Sequence, residues 1–247
     1  MRMDESLKRD VRIFPDLSAL SRAAAEESMQ VAAACANATG HCTIVLSGGH
    51  TPRAMYQLWA EDYRERIPWP KMNLFWGDER YVSPGDPHSN YRMVREALLD
   101  HVPVPPGNVH PIPTNFKDPD EAARAYEATL RAAFPGAWPE FDLVLLGMGP
   151  EGHTASLFPY SPGLDVKDRW VVAVRAPAEP PQRVTLTLPA LNHAQNLMFL
   201  VCGVEKRDAL HQAWQAGGQG SPEWPVSMVR PNGRVTWFVD RTAAGSP

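Results

Sequence analysis

Gly147-Met148-Gly149-Pro150-Glu151-Gly152-His153 follows the mostly apolar run Phe141 to Leu146. Glycines at such a point let the backbone turn sharply and present free N–H groups, and they leave His153 at the carboxyl edge of a strand. An imidazole placed there can act as a general base near neutral pH. Glu151, two residues earlier, can orient the ring or stabilise its charge, as a carboxylate does in nucleophilic triads. The plainer alternative is a His153 that merely caps a short following helix; it does not account for the glycine-rich loop after a buried strand. The segment also matches the Gly-x-Gly-x-x-Gly dinucleotide pattern. That match is formal: Pro159 and Pro162 stop any long crossover helix, and the next strand ends at Arg175 rather than at an acidic residue.

Ser47-Gly48-Gly49-His50-Thr51-Pro52 forms a second candidate loop. Glycine allows close backbone approach, and the N-terminus of the helix that follows favours an anion, so Ser47, Gly48, Gly49 and Thr51 suit one phosphate. The loop lacks the Gly-Lys-Ser/Thr ending of a nucleoside triphosphate cradle, and an ordinary strand-to-helix turn would explain it equally well. Asp78 and Arg80, in Gly77-Asp78-Glu79-Arg80, could position a substrate or form a surface ion pair. Asn90 follows Ser89, a helix cap by type. Arg183 and Lys206 are candidate phosphate ligands, one by bidentate hydrogen bonding and the other as a point charge; each taken singly reads as a solvated surface charge.

The elements that must position these residues alternate in kind. Val11 to Phe14 reads as an edge strand and Asp16 to Ala38 as a long helix ended by Gly40. Thr43 to Leu46 is a strand, with Arg53 to Asp62 as its helix, Thr51 as N-cap and Pro52 in the first turn. Asn73 to Trp76 is a strand leading into the Gly77–Arg80 loop, and Asn90 to Leu99 a helix. Pro103 to Pro113 is a connector, Asp118 to Ala133 a helix, and Phe141 to Leu146 a strand. Trp170 to Val174, Val184 to Leu188, Leu197 to Val201 and Arg234 to Val239 complete the strands, with Val204 to Gln215 as a helix. This alternation predicts an α/β fold, a mostly parallel Rossmann-like sheet flanked by helices, with ligands at the carboxyl ends of the strands. Trp59, Trp69 and Trp76 are expected in the core or its rim.

At 247 residues one domain spanning 1–247 is expected, and 44% apolar with 21% charged residues is ordinary for a globular chain. A net charge of −4 with signs interspersed provides no basic stripe for nucleic acid. Three cysteines without a Cys-x-x-Cys pair argue against a disulfide framework and a zinc knuckle. The histidines show no metal-ligand spacing, so no metal is expected. The charged first ten residues, and the lack of any run long enough to span a bilayer, predict a cytoplasmic protein without a membrane partner.

Taken together, Ser-Gly-Gly-His-Thr-Pro at 47–52, Gly-Asp-Glu-Arg at 77–80, Ser-Asn at 89–90, Gly-Met-Gly-Pro-Glu-Gly-His-Thr-Ala-Ser-Leu-Phe-Pro at 147–159 and Arg-Val-Thr-Leu-Thr at 183–187 resemble the 6-phosphogluconolactonases. The resemblance spans most of the chain. It implies the sugar-phosphate isomerase-like fold, with a small additional strand and helix subregion, shared with glucosamine-6-phosphate deaminases. It further implies hydrolysis of a small phosphorylated sugar lactone without a cofactor; a monomer or weak homodimer is expected. On that reading His153, Glu151 and Arg80 are catalytic, and Ser47, Gly48, Gly49, Thr51, Asp78, Asn90, Arg183 and Lys206 bind substrate or phosphate. The chain departs from the commoner family form at Glu151, where aspartate is usual, and at His50, where serine or threonine is frequent. Two rival readings are an aminosugar-phosphate deaminase or isomerase and a non-catalytic sugar-phosphate sensor. The first is disfavoured because Asp78-Glu79-Arg80 stands where Asp-Glu-Tyr would be expected, the second because His153 is intact.

Overall fold

Continuous apolar runs make the central strands, because a strand covered on both faces has no need of polar alternation. The computed structural model describes residues 9–216, 218 and 220–245; the charged first eight residues read above lie outside the described residues. β1 (Arg9–Phe14) leads into α1 (Leu17–Thr39), where Asp16 caps by accepting a 2.9 Å hydrogen bond from the Ala19 N–H and Gly40 ends the helix in the left-handed conformation. β2 (Cys42–Leu46) is buried throughout and precedes α2 (His50–Glu61). There follow β3 (Met72–Trp76), β4 (Asp78–Arg80), α3 (Asn90–Ala97), β5 (Val109–His110), α4 (Pro119–Ala133) and β6 (Leu143–Gly147). β7 (Val171–Arg175), β8 (Gln182–Leu186), α5 (Leu188–Leu191), β9 (Asn196–Val201), α6 (Arg207–Gln215), β10 (Arg234–Asp240) and α7 (Arg241–Ala244) complete the chain.

Seven strands form one parallel sheet in the order β1-β10-β9-β6-β2-β3-β5. The chain steps from β2 out to β3 and β5, then returns on the other side of β2 with β6. Strand order therefore reverses between β2 and β6, and loops leaving their carboxyl ends diverge to open a crevice there. α1 lays a face of Leu20, Ala24, Ala25, Met29, Ala32 and Ala36 into the core, and Trp59 of α2 donates its indole N–H to the Ala25 carbonyl at 3.2 Å. Trp59, Trp69 and Trp76 are all buried, as expected from sequence. Among the described residues, no helix is long and apolar enough to cross a membrane.

The remaining strands depart from the expected pattern. β4, β8 and β7 make a separate antiparallel sheet, so the Gly77–Arg80 segment is a strand rather than a loop, and Arg183 lies inside β8 rather than before it. Gly77 joins the two sheets: its N–H donates to Leu46 O at 2.9 Å, and its carbonyl accepts from Leu186 N–H at 2.8 Å. The N-cap of α2 is Gly49, at φ 105°, and not Thr51, which sits within the first turn. The proline-rich connector contains β5, the far edge of the large sheet. The Val204–Gln215 region begins as a 3-10 turn over Val204–Lys206 before α6 starts at Arg207.

Candidate active site

A cavity of about 470 Å³ opens where β2, β6 and β9 end. The first wall comes from β2 and α2, with Ser47, Gly48, Gly49, His50 and Thr51. The first-turn N–H groups of α2 have no partners within the helix, and its dipole adds positive potential at that end. Tyr56 fixes this loop by accepting from the Ser47 N–H at 3.0 Å and donating to the Ser47 carbonyl at 3.1 Å. The buried Ser47 hydroxyl itself finds no hydrogen-bond partner among the described residues.

The second wall is the β6 loop. His153 sits 26% exposed on the cavity, its ring stacked on Phe158 at 4.3 Å between centroids. No helix follows it; Thr154 and Leu157 close a tight turn with a single bridge, which removes the helix-cap explanation for His153. Glu151 stands behind the ring, off the cavity wall, with Oε1 3.1 Å from Nδ1. The two meet in a close contact, an ion pair only when the imidazole is protonated, rather than in a well-aligned hydrogen bond. His153 holds the Glu151 carboxyl below its ordinary range, against the upward push of burial. Gly149 is required by close approach: a Cβ there would lie 1.9 Å from His153 Nδ1.

β4 and α3 supply the third wall, with Asp78, Arg80 and Asn90. Asn90 donates to the Asp78 carbonyl at 2.9 Å, and its amide lies so close over Gly48 that a Cβ on that glycine would sit 1.8 Å from Asn90 Oδ1. Arg80 donates from Nη1 to the His88 carbonyl at 2.8 Å, while its buried Nε has no hydrogen-bond partner among the described residues. Glu79 points elsewhere. Its carboxylate accepts from the Arg80, Asn90 and Tyr91 N–H groups, each at 2.7 Å, and from the Ser89 hydroxyl at 3.2 Å. It is thereby committed to the start of α3 and is not a partner for His153.

Lys206 closes the cavity from the turn after β9. Burial pulls its ammonium below the ordinary lysine range, and Glu205, 3.9 Å away, and Glu151 push it back up. Arg183 is not on the wall. It lies directly across from Arg80 in the small sheet, with Nε donating to the Pro180 carbonyl at 2.7 Å and Nη2 to the Glu179 carbonyl at 3.5 Å. Burial, then the neighbouring Arg80 charge, pulls its guanidinium down from the ordinary arginine value.

The cavity thus brings together His153, Lys206, Arg80, Asp78, Asn90, Ser47, Gly48, Gly49 and Thr51, and leaves out Arg183 and the Glu151 carboxylate. Sequence reasoning did not identify Leu200, Cys202 and Glu205 as wall residues; they reach the site only because β9 lies next to β6. Ser156 was also missed as a positioning residue, although it belongs to a segment noticed for its resemblance.

Residues 15–237 match the family model for glucosamine-6-phosphate isomerases/6-phosphogluconolactonase. The chain is 44% identical over 207 residues to a 6-phosphogluconolactonase from Synechocystis sp., covering 83% of this chain and 84% of the relative. The solved 6-phosphogluconolactonase from Thermotoga maritima superposes with a TM-score of 0.83 at 31% identity, over 94% of this chain and 100% of the other. A monomeric glucosamine-6-phosphate deaminase, at 18% identity and a TM-score of 0.82, covers 96% of this chain and 99% of its own, and shares the fold.

Proposed function

Because this chain belongs to the glucosamine-6-phosphate isomerase/6-phosphogluconolactonase family, we propose that it hydrolyses 6-phospho-D-glucono-1,5-lactone to 6-phospho-D-gluconate. The reaction needs no cofactor and falls in the cytoplasmic oxidative pentose phosphate pathway. His153 takes a proton from a water molecule through Nε2, the ring nitrogen left free by the Glu151 contact at Nδ1. The hydroxide attacks the lactone carbonyl carbon, and the resulting oxyanion is held by Arg80 or by backbone N–H groups of the glycine loops. As the tetrahedral intermediate collapses, the imidazolium returns the proton to the departing ring oxygen. Lys206 and the Gly48–Thr51 turn hold the phosphate, so binding energy from the far end of the substrate orients its reacting carbon. Arg183, whose donors go to the Pro180 and Glu179 carbonyls, is left out of the phosphate grip.

The observation that carries this reading is that His153 and Lys206, on loops from neighbouring strands β6 and β9, face one cavity that also receives the N-terminus of α2. The test is a lactonase assay corrected for spontaneous hydrolysis, run beside an aminosugar-phosphate deamination assay and repeated with His153→Ala. Lactone turnover that falls about 10²- to 10⁴-fold in the variant is expected for loss of a general base. Ammonia release without lactonase activity would overturn the reading in favour of a deaminase. Phosphosugar binding with neither reaction would overturn it in favour of a sensor.

A further inference from the structure

The opposite end of the sheet gathers a second set of reactive side chains. Cys35 lies near the end of α1, Cys42 opens β2, and Asp142 immediately precedes β6. Their two sulfurs and a carboxylate oxygen lie within 4.8 Å of one another. We propose that Cys35, Cys42 and Asp142 bind a thiophilic divalent cation of the zinc type, with solvent completing the coordination.

The geometry suits such an ion. Zinc–thiolate bonds of about 2.3 Å in a tetrahedral site place the sulfurs about 3.8 Å apart, so the two sulfurs need approach by at most about 1 Å. The carboxylate is already oriented: Asp142 Oδ2 accepts from both the N–H and the hydroxyl of Thr43, each at 2.7 Å, leaving Oδ1 available for the ion. Such outer partners fix a ligand in place and raise its effectiveness. A hollow of about 340 Å³, lined in part by Asp142, His41 and Glu140, brings solvent to the carboxylate side of the group, and Cys35 is itself part-exposed. Two thiolates and one carboxylate select a borderline-soft ion over magnesium or calcium, which prefer sets made only of oxygen ligands. On binding, each thiol releases its proton to solvent. Cys35 and Cys42 stand seven positions apart with no Cys-x-x-Cys pair, and Asp142 lies a hundred positions further on, so only the alignment of α1, β2 and β6 brings the three together. Five residues of extended chain separate Cys42 from Ser47, about 16 Å, which keeps the ion clear of the cavity that holds His153.

The test uses the reduced full chain titrated with zinc, and with cobalt(II) as a spectroscopic stand-in. The expected result is one equivalent bound, thiolate-to-cobalt charge-transfer absorption, and protection of the part-exposed Cys35 from alkylation while Cys202 reacts as before. Cys35→Ser, a partly exposed position that leaves the core intact, should weaken zinc binding at least tenfold and diminish the charge-transfer band. Asp142→Asn should weaken binding without abolishing that band. Activity of the unaltered chain should be the same with and without zinc, so the outcome is separable from the lactonase assignment. Cobalt uptake without charge transfer, zinc affinity unchanged in Cys35→Ser, or a Cys35–Cys42 disulfide that takes up no metal after reduction would each overturn the proposal.

Discussion

Ser156 donates its hydroxyl proton to Asp78 Oδ2 across 2.6 Å, tying the loop that carries His153 to the first residue of β4. Both residues are buried, and the bond links segments 78 positions apart in the chain. It fixes one cavity wall against another, because Asp78 also receives Asn90. Ser156→Ala leaves a buried carboxylate short of a donor, which costs about 1–3 kcal/mol. We expect a lower denaturation midpoint and a kcat reduced about tenfold, with KM little changed, because the phosphate contacts proposed above lie at Lys206 and the Gly48–Thr51 turn. Steady-state kinetics and urea unfolding on the same preparation check both effects; unchanged kcat in a destabilised variant would confine Ser156 to a structural role.

Gly149→Ala tests how tightly the glycine loop is fitted to its histidine. The added carbon would fall 1.9 Å from His153 Nδ1 and 2.6 Å from Glu151 Oε2, so the ring must move. Lactonase activity should drop at least about 10²-fold, because misplacing a catalytic group by about 1 Å can cost that much. Circular dichroism should remain that of the unaltered chain. Activity within a factor of two would show that His153 need not stand where it does.

The parallel sheet was legible because its strands are continuous apolar runs, and the helix starts because Asp16, Ser89 and Asp118 accept from first-turn N–H groups. What escaped depended on contacts distant in sequence. Asp78-Glu79-Arg80 has no strand signature of its own; it is extended because β8, about a hundred residues later, pairs with it. The same pairing sets Arg183 beside Arg80, where the Glu179 and Pro180 carbonyls take its donors, and no property of the arginine in isolation reveals that. Thr51 has the right type for a cap, yet the turn tightens two residues earlier, at Gly49, whose φ of 105° few other residues tolerate. Most of the candidate site was nevertheless visible, since loops that leave neighbouring parallel strands share one edge of the sheet.

Glu151→Gln separates charge from shape behind His153. The carboxyl of Glu151 is held below its ordinary value, so its negative charge persists as pH falls and is lost only when the pH passes through that lowered value. Above it, the negative charge would favour the imidazolium that the proposed general-base role of His153 requires. Removing that charge should lower kcat about tenfold and move the acidic limb of the kcat/KM profile to lower pH, and Glu151→Asp should restore much of the rate. A pH–rate profile of Glu151→Gln that superimposes on the original would mean the carboxylate only packs against the ring.

Lys206 provides the alkaline counterpart. A lysine whose ammonium is pulled down by burial is charged at low pH and loses its proton as pH rises, earlier than an exposed lysine does. If it holds the phosphate, affinity for the product 6-phospho-D-gluconate should be steady around neutrality and weaken on the alkaline side, before the ordinary lysine range is reached. Lys206→Ala should weaken binding about 10- to 100-fold near neutral pH and remove most of the alkaline decline. Lys206→Arg keeps its charge throughout, so whatever affinity it retains should stay level across the same interval. Calorimetric titration of the three proteins over a pH series reads all of this directly, with a stable ligand that avoids spontaneous lactone opening. An alkaline decline of equal size in Lys206→Arg would transfer the titration to another group and detach Lys206 from the phosphate.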